Sequence, residues 1–265
     1  MERRTVLQLG AGLTVAVGLG ATGGVFAERY RIEANHSGYA VTTQQMANLG
    51  ATLMVWRGSK TQPLAALTFD DGPTPEYTPG ILKALSDADA PATFFMMGKH
   101  VVRYPDLARR VAERHEIGNH SYSHPDMSHA ADSTARDQLG RTHEAIGRIT
   151  KKTPTLFRPP YGRFSGAVER VAAEMDYSTI LWSERFHPDS TAAKNVVRLG
   201  ESIDSGFIVL FHDGFNPNNR KIIKALPALM KRVRERGIQL VGMTELLAVV
   251  RRESAAATGD TTGRL

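Results

Sequence analysis

Between residues 61 and 250, short apolar runs alternate with segments that are apolar on one side only. LAALTF, ATFFMM, TLF, STILW, FIVLF and IQLVGM have the length and the β-branched or aromatic content of buried strands. ILKALSDA, LARRVAERH, AVERVAAEM and IIKALPALMKRVRER place their apolar residues at helical spacing. Strands separated by helices pair mostly in parallel, with both faces of the sheet covered or the sheet closed into a barrel. The pattern therefore predicts an α/β fold in one domain, and about 200 to 250 residues is an ordinary size for a single α/β barrel. Polar residues of chemical interest follow the strands directly: Asp70 and Asp71 after LAALTF, Arg158 after TLF, His212 after FIVLF. The C-terminal rim of the strands is where α/β barrels assemble their active sites.

The ends of the 265-residue chain have a different character. Arg3 and Arg4 precede an uncharged run from Thr5 to Ala27, which closes on the small-x-small sequence Val25-Phe26-Ala27. Residues 1–27 are expected to be an export signal or, if uncleaved, an N-terminal anchor; RRTVL resembles a twin-arginine address. Residues 28–60 form a lead-in with one short helix expected around Gln44 to Leu49, and the small, polar residues 251–265 are expected to be a disordered tail. The net charge of +6 is spread along the chain without basic runs interleaved with aromatics, so nucleic-acid binding is not indicated. With no cysteine, the chain has no disulfide, thiolate metal site or cysteine nucleophile.

Two adjacent acids at the end of an apolar strand are costly unless paired or metal-bound. Adjacent positions alternate along a strand, so Asp70 and Asp71 are expected to point different ways. His120 and His124 lie four apart in HSYSH. Two imidazoles plus a carboxylate make three protein ligands and leave a fourth position open, the pattern of a catalytic rather than a structural zinc site. His115-Glu116 begins like a zinc-protease HExxH helix, but position 119 is Asn. The remaining histidines, His36, His100, His115, His129, His143 and His187, are expected at the surface or as satisfied polar residues. Arg158 stands beside the rigid pair Pro159-Pro160 and supplies the fixed cation that an ionised base needs nearby. His212 is suited to general acid work near neutral pH. Tyr161, Trp182 and Leu210 are candidates for the wall of a small pocket, and Phe211 is expected in the core.

In order, TFDDG, HSYSH, RPPYG and LFH resemble the motif series of the NodB-type polysaccharide deacetylases, carbohydrate esterase family 4. LTFDDGPTPEYTPGILKAL, ATFFMMGKHV and HEIGNHSYSH resemble the same family, and the likeness spans roughly residues 61–250. The resemblance implies a distorted (β/α) barrel, the NodB homology fold. It also implies roles: Asp70 as general base, Asp71 with His120 and His124 as metal ligands, and Arg158 orienting Asp70. The Tyr161 N–H would help hold the oxyanion, Leu210 would line the acetyl pocket, Trp182 and Pro160 would border the substrate, and His212 would be the general acid. One departure stands out. The family follows its LWS strand with an acidic pattern ending in Asp-Trp, whereas this chain reads LWSERFHPDS, leaving Glu184 or Asp189 as replacements for that support.

The resulting expectation is an exported, metal-dependent hydrolase that removes N-acetyl groups from chitin, chitooligosaccharide or peptidoglycan GlcNAc and releases acetate. The metal is expected to be zinc, with cobalt or nickel as alternatives. The partner is an acetylated glycan and the chain a monomer, touching a membrane only through an uncleaved N-terminus. The competing readings are an O-acetyl esterase of the xylan type on the same site and a catalytically impaired wall-glycan binder.

Overall fold

The apolar runs do pair in parallel, and they do so in an order that brings the motif-bearing strand ends together. The computed structural model describes residues 5–9, 13–17, 54–185 and 198–258. Strands β1 (Thr5–Leu9) and β2 (Leu13–Val17) form a separate antiparallel hairpin. The main sheet contains β3 (Met54–Val55), β4 (Leu64–Asp70), β5 (Thr93–Met96), β6 (Glu116–Asn119), β7 (Leu156–Phe157), β8 (Ser178–Ile180), β9 (Glu184–Arg185), β10 (Ile208–His212) and β11 (Gln239–Leu240). Its order is β3-β8-β7-β6-β5-β4-β10-β9, with β11 added beside the start of β4, and every pairing in it is parallel. This is the expected distorted (β/α) barrel, in a single domain.

Seven helices are described: α1 (Thr78–Asp87), α2 (Gly98–Arg103), α3 (Pro105–Arg114), α4 (Asp132–Thr150), α5 (Gly166–Glu174), α6 (Asn219–Glu235) and α7 (Met243–Thr258), with a further helical turn over 198–202. Prolines in the first turns of α1 and α3 start those helices where an N–H would be unpaired anyway. Strand alternation divides the core. Leu67 and Phe69 of β4, Phe94 and Met96 of β5, and Val209 and Phe211 of β10 face outward onto α1, α3 and α6. There the rings of Phe69, Phe94 and Phe211 stack at 5.0 and 5.5 Å, so Phe211 is core as expected. Ala66, Phe95, Leu156, Ile180 and Ile208 face inward and pack on Met243, Leu246 and Leu247 of α7. Glu116 and Thr93, at the starts of β6 and β5, accept hydrogen bonds from the first N–H groups of α7. The helix thus closes the end of the barrel opposite the motif residues.

Four elements depart from the sequence reading. β6, α2 and α4 arise from segments with no clear apolar pattern, and α7 continues to Thr258, so helical backbone rather than disorder occupies 251–258. The helix expected at Gln44 to Leu49, His36, His187 and Asp189 lie outside the described residues. No helix among the described residues is long and apolar enough to cross a membrane.

Candidate active site

Asp70 ends β4 on the inward face, two residues after Thr68, and is almost wholly buried. Its Oδ1 accepts a hydrogen bond from Arg158 Nη1 at 2.7 Å. Arg158 follows β7 and is itself wholly buried. A buried cation needs most of its donors used. Nη1 also donates to Thr68 Oγ1 at 2.7 Å, Nε to the Ile180 carbonyl at 3.1 Å and Nη2 to the Leu181 carbonyl at 2.9 Å. The guanidinium lies 4.1 Å from the centre of the Phe95 ring and 5.8 Å from that of Trp182. Burial lowers the Arg158 pKa, and the charge of Asp70 opposes that shift.

These contacts bear on the missing Asp-Trp pattern for Glu184, the one of its two expected replacements that is described. Thr68 and two backbone carbonyls hold the arginine, and among the described residues no acid beyond Asp70 touches it. Glu184 pairs in register with the outward-facing Val209 and lines a surface hollow with Arg57, Lys60 and Phe207. It does not replace the family's acid at the arginine.

Asp71 departs from the strand expectation. It lies just beyond β4 with φ of 75°, a left-handed conformation unusual outside glycine. The turn brings it back beside Asp70: His120 Nε2 is 3.7 Å from Asp70 Oδ2 and 3.3 Å from Asp71 Oδ1. His124 Nε2 is also 3.3 Å from Asp71 Oδ1. One carboxylate oxygen of each acid therefore faces the same imidazole, and the acids are separated by a turn and not by strand alternation.

Could a cation sit here? The ligand atoms of Asp71, His120 and His124 all lie within 4.8 Å of one another. His120 Nδ1 is 2.7 Å from the Arg158 carbonyl, which can only accept, so Nδ1 carries a proton and Nε2, on the side of the acids, is the ring atom whose lone pair a cation would take in place of a proton. Asp71 Oδ1 is buried and accepts no hydrogen bond. Lone pairs converging on an orphaned carboxylate oxygen suit a divalent cation. Burial by itself raises the Asp71 pKa, but contact with His120 and the charges of His120, His212 and His124 outweigh it and hold the group below the ordinary carboxylate range. Burial lowers His120, yet Asp70 and Asp71 together raise it.

His212 ends β10 directly opposite Asp70 in the parallel register, and Leu210, buried, lies opposite Thr68 on the same inward face. Tyr161 sits in a 3-10 turn, Pro160–Gly162, with φ of 58°; its largely exposed ring meets that of His124 edge-on at 4.5 Å. Pro160 is buried and shapes that turn. Trp182 packs beside Gly162, where a Cβ would come within 2.8 Å of the indole. Asp70, Asp71, His120, His124, Arg158, Tyr161, Trp182, Leu210 and His212 thus gather at one rim.

The structure adds two residues to this rim. His100 is a satisfied polar residue, within the expectation, and its partner is the Asp71 carbonyl, to which Nδ1 donates at 2.7 Å and so steadies the ligand's turn. Asp213 is wholly buried and accepts from Thr78 Oγ1 at 2.5 Å; burial pushes its carboxyl up to about 7. Its place in His212-Asp213-Gly214 was the available signal. His115 is buried against Phe94, and burial with the nearby charges of Arg114 and Lys152 lowers it to about 4.

Comparison with known proteins agrees with this geometry. The family model described as "Polysaccharide deacetylase" matches residues 57–180. A peptidoglycan-N-acetylglucosamine deacetylase of Bacillus cereus is 36% identical over 199 residues, which are 73% of this chain and 92% of the relative. The chain belongs to the polysaccharide deacetylases, carbohydrate esterase family 4. Among solved members of the family, the Bc1960 peptidoglycan N-acetylglucosamine deacetylase superposes with a TM-score of 0.69 at 30% identity, covering 73% of this chain and 92% of that one. BA3943 from Bacillus anthracis, described as a CE4 family pseudoenzyme, superposes with a TM-score of 0.67 at 30% identity, over 75% of this chain and 70% of that one. The family's coarse activity is carbohydrate deacetylation. Because it also contains a pseudoenzyme, the completeness of the site matters.

Proposed function

We propose that the chain is an exported, metal-dependent deacetylase that hydrolyses the N-acetyl group of GlcNAc units in peptidoglycan. The observation that carries this reading is the junction of two sets: a buried carboxylate clamped by Arg158, and beside it the convergent ligands Asp71, His120 and His124. Binding a glycan requires neither. The relative from Bacillus cereus supports the polymer, and the uncharged run after Arg3 and Arg4 supports export.

Asp71, His120 and His124 would hold the cation; zinc, cobalt and nickel all suit two imidazoles and a carboxylate. A cation bound there would supply Lewis acidity, making water more acidic and an acyl carbon more electrophilic. Asp70 accepts the proton of the attacking water as its oxygen bonds to the acetyl carbon. The Tyr161 N–H is assigned to the developing oxyanion, a contact typically worth about 3 to 4 kcal/mol. His212 donates a proton to the amide nitrogen as the C–N bond breaks, leaving acetate and a free amino sugar. Leu210 and Trp182 border the acetyl group and exclude water.

The test is acetate and free-amine release from N-acetylated peptidoglycan by the metal-loaded protein. Wild type should release both in equal amounts, and Asp70→Asn should lose about 1,000-fold or more in kcat while still binding metal. Free hydroxyls in place of amines would make the enzyme an esterase. Metal binding and glycan binding without any acetate would make it a pseudoenzyme.

A further inference from the structure

The loop that carries both histidine ligands is an unusual piece of backbone. Ser121 and His124 adopt φ of 61° and 64°, left-handed positions that non-glycine residues occupy at a cost. Those two conformations turn the rings of His120 and His124 toward each other, 5.0 Å apart. What holds them is a set of side chains. The Ser121 N–H donates to Asn119 Oδ1 at 2.9 Å and the His124 N–H to Ser121 Oγ at 3.1 Å. Between them, the N–H groups of Tyr122 and Ser123 both donate to Gln138 Oε1, at 3.1 and 3.0 Å, and Ser123 Oγ approaches the same oxygen at 3.2 Å. Backbone N–H groups can only donate, so the amide oxygen of Gln138, and not its nitrogen, faces the loop.

Gln138 comes from the middle of α4, is 8% exposed, and stands on the buried stripe of that helix with Ala135, Leu139 and Thr142. It is a polar residue at a position where packing alone would favour an apolar one. The neighbouring contacts close the same loop: the carbonyls of Ser121 and Tyr122 accept from the first N–H groups of α2, and Arg141 lies 3.6 Å over the Tyr122 ring. Among the described residues, Gln138 alone supplies the acceptor for the two central N–H groups.

We propose that Gln138 is a positioning residue for the metal centre: its single carbonyl oxygen fixes the strained Ser121-to-His124 turn and so pre-sets the two imidazole ligands for the cation. This role rests on the reading of Asp71, His120 and His124 as cation ligands. Groups that orient metal ligands typically change affinity by about 10- to 100-fold when removed.

The experiment measures zinc affinity of the metal-stripped full chain by competition with a chromophoric chelator, alongside thermal unfolding without metal. Gln138→Met keeps length and removes the acceptor; it should weaken zinc binding roughly 10-fold or more. Gln138→Glu keeps acceptor oxygens and should bind within about threefold of wild type, a rescue that a purely space-filling role would not require. Ile146→Ala, in the same helix but packed in the outer core, should lower the unfolding temperature and leave zinc affinity unchanged. Wild-type affinity in Gln138→Met, a loss no greater than that of Ile146→Ala at equal destabilisation, or failure of Gln138→Glu to retain affinity would each overturn the role. Absence of zinc binding by wild type would instead overturn the metal-site reading beneath it.

Discussion

Arg158 shows how much of this site depends on one side chain whose shape matters as well as its charge. A guanidinium presents donors in a planar fork, and here that fork meets Asp70, Thr68 and the carbonyls of Ile180 and Leu181 at once. A lysine ammonium can satisfy Asp70 but not carbonyls on two sides of a planar group. Arg158→Lys is therefore expected to fold and to lose about 100-fold in kcat, the usual consequence of misplacing a reacting group by an ångström or so. Arg158→Met leaves Asp70 buried without its guanidinium partner, and breaking a buried pair in this way typically costs about 3 to 5 kcal/mol of stability. Steady-state kinetics and urea unfolding check the two variants; equal activity in wild type and Arg158→Lys would show that charge alone suffices.

At the scale of elements, the site is a junction of strand ends held by close backbone approach. Gly72 follows the acid pair, and a Cβ there would lie 2.0 Å from Asp213 Oδ2, inside the contact that joins the β4 turn to the end of β10. Gly72→Ala is expected to cost about 2 to 3 kcal/mol, the upper range for overpacking. Adding Asp213→Ala should recover part of that loss, because residues in contact are not additive; strictly additive urea unfolding energies would show that the collision is relieved elsewhere. This junction also explains what could be read from the chain. Asp70, Asp71, Arg158 and His212 were legible because each ends an apolar run, and strand ends of parallel sheets converge. The left-handed turn at Asp71 was not, since no local signal marks a non-glycine residue with positive φ. β6 was hidden because its four residues, Glu116 to Asn119, include one large apolar side chain and serve polar partners at both ends. α4 was hidden for a related reason: Gln138 and Thr142 occupy its buried stripe, so the helical period is present in burial but diluted in hydrophobicity.

Across the whole molecule, the proposed cation would join loops that only the fold brings together. Asp71 follows β4, whereas His120 and His124 follow β6, and β5 lies between those strands. In the unfolded chain the ligands are about 50 residues apart, so a metal should bind the native state far better than the unfolded one. At zinc concentrations 1,000 times Kd, such linkage contributes about 4 kcal/mol. For a domain of this size each kcal/mol moves Tm by roughly 2 to 4 °C, so zinc should raise the wild-type Tm by roughly 8 to 16 °C. His120→Ala and Asp71→Ala should lose most of that shift. Asp70 is the informative case, because His120 Nε2 lies within 3.7 Å of it as well as 3.3 Å from Asp71. If Asp70 is the base and Asp71 the ligand, Asp70→Asn keeps the full zinc-dependent rise while losing turnover. A lost rise in Asp70→Asn would make both acids ligands and leave the reaction without its assigned base, so calorimetry of this one variant separates the two roles that the adjacent carboxylates were given.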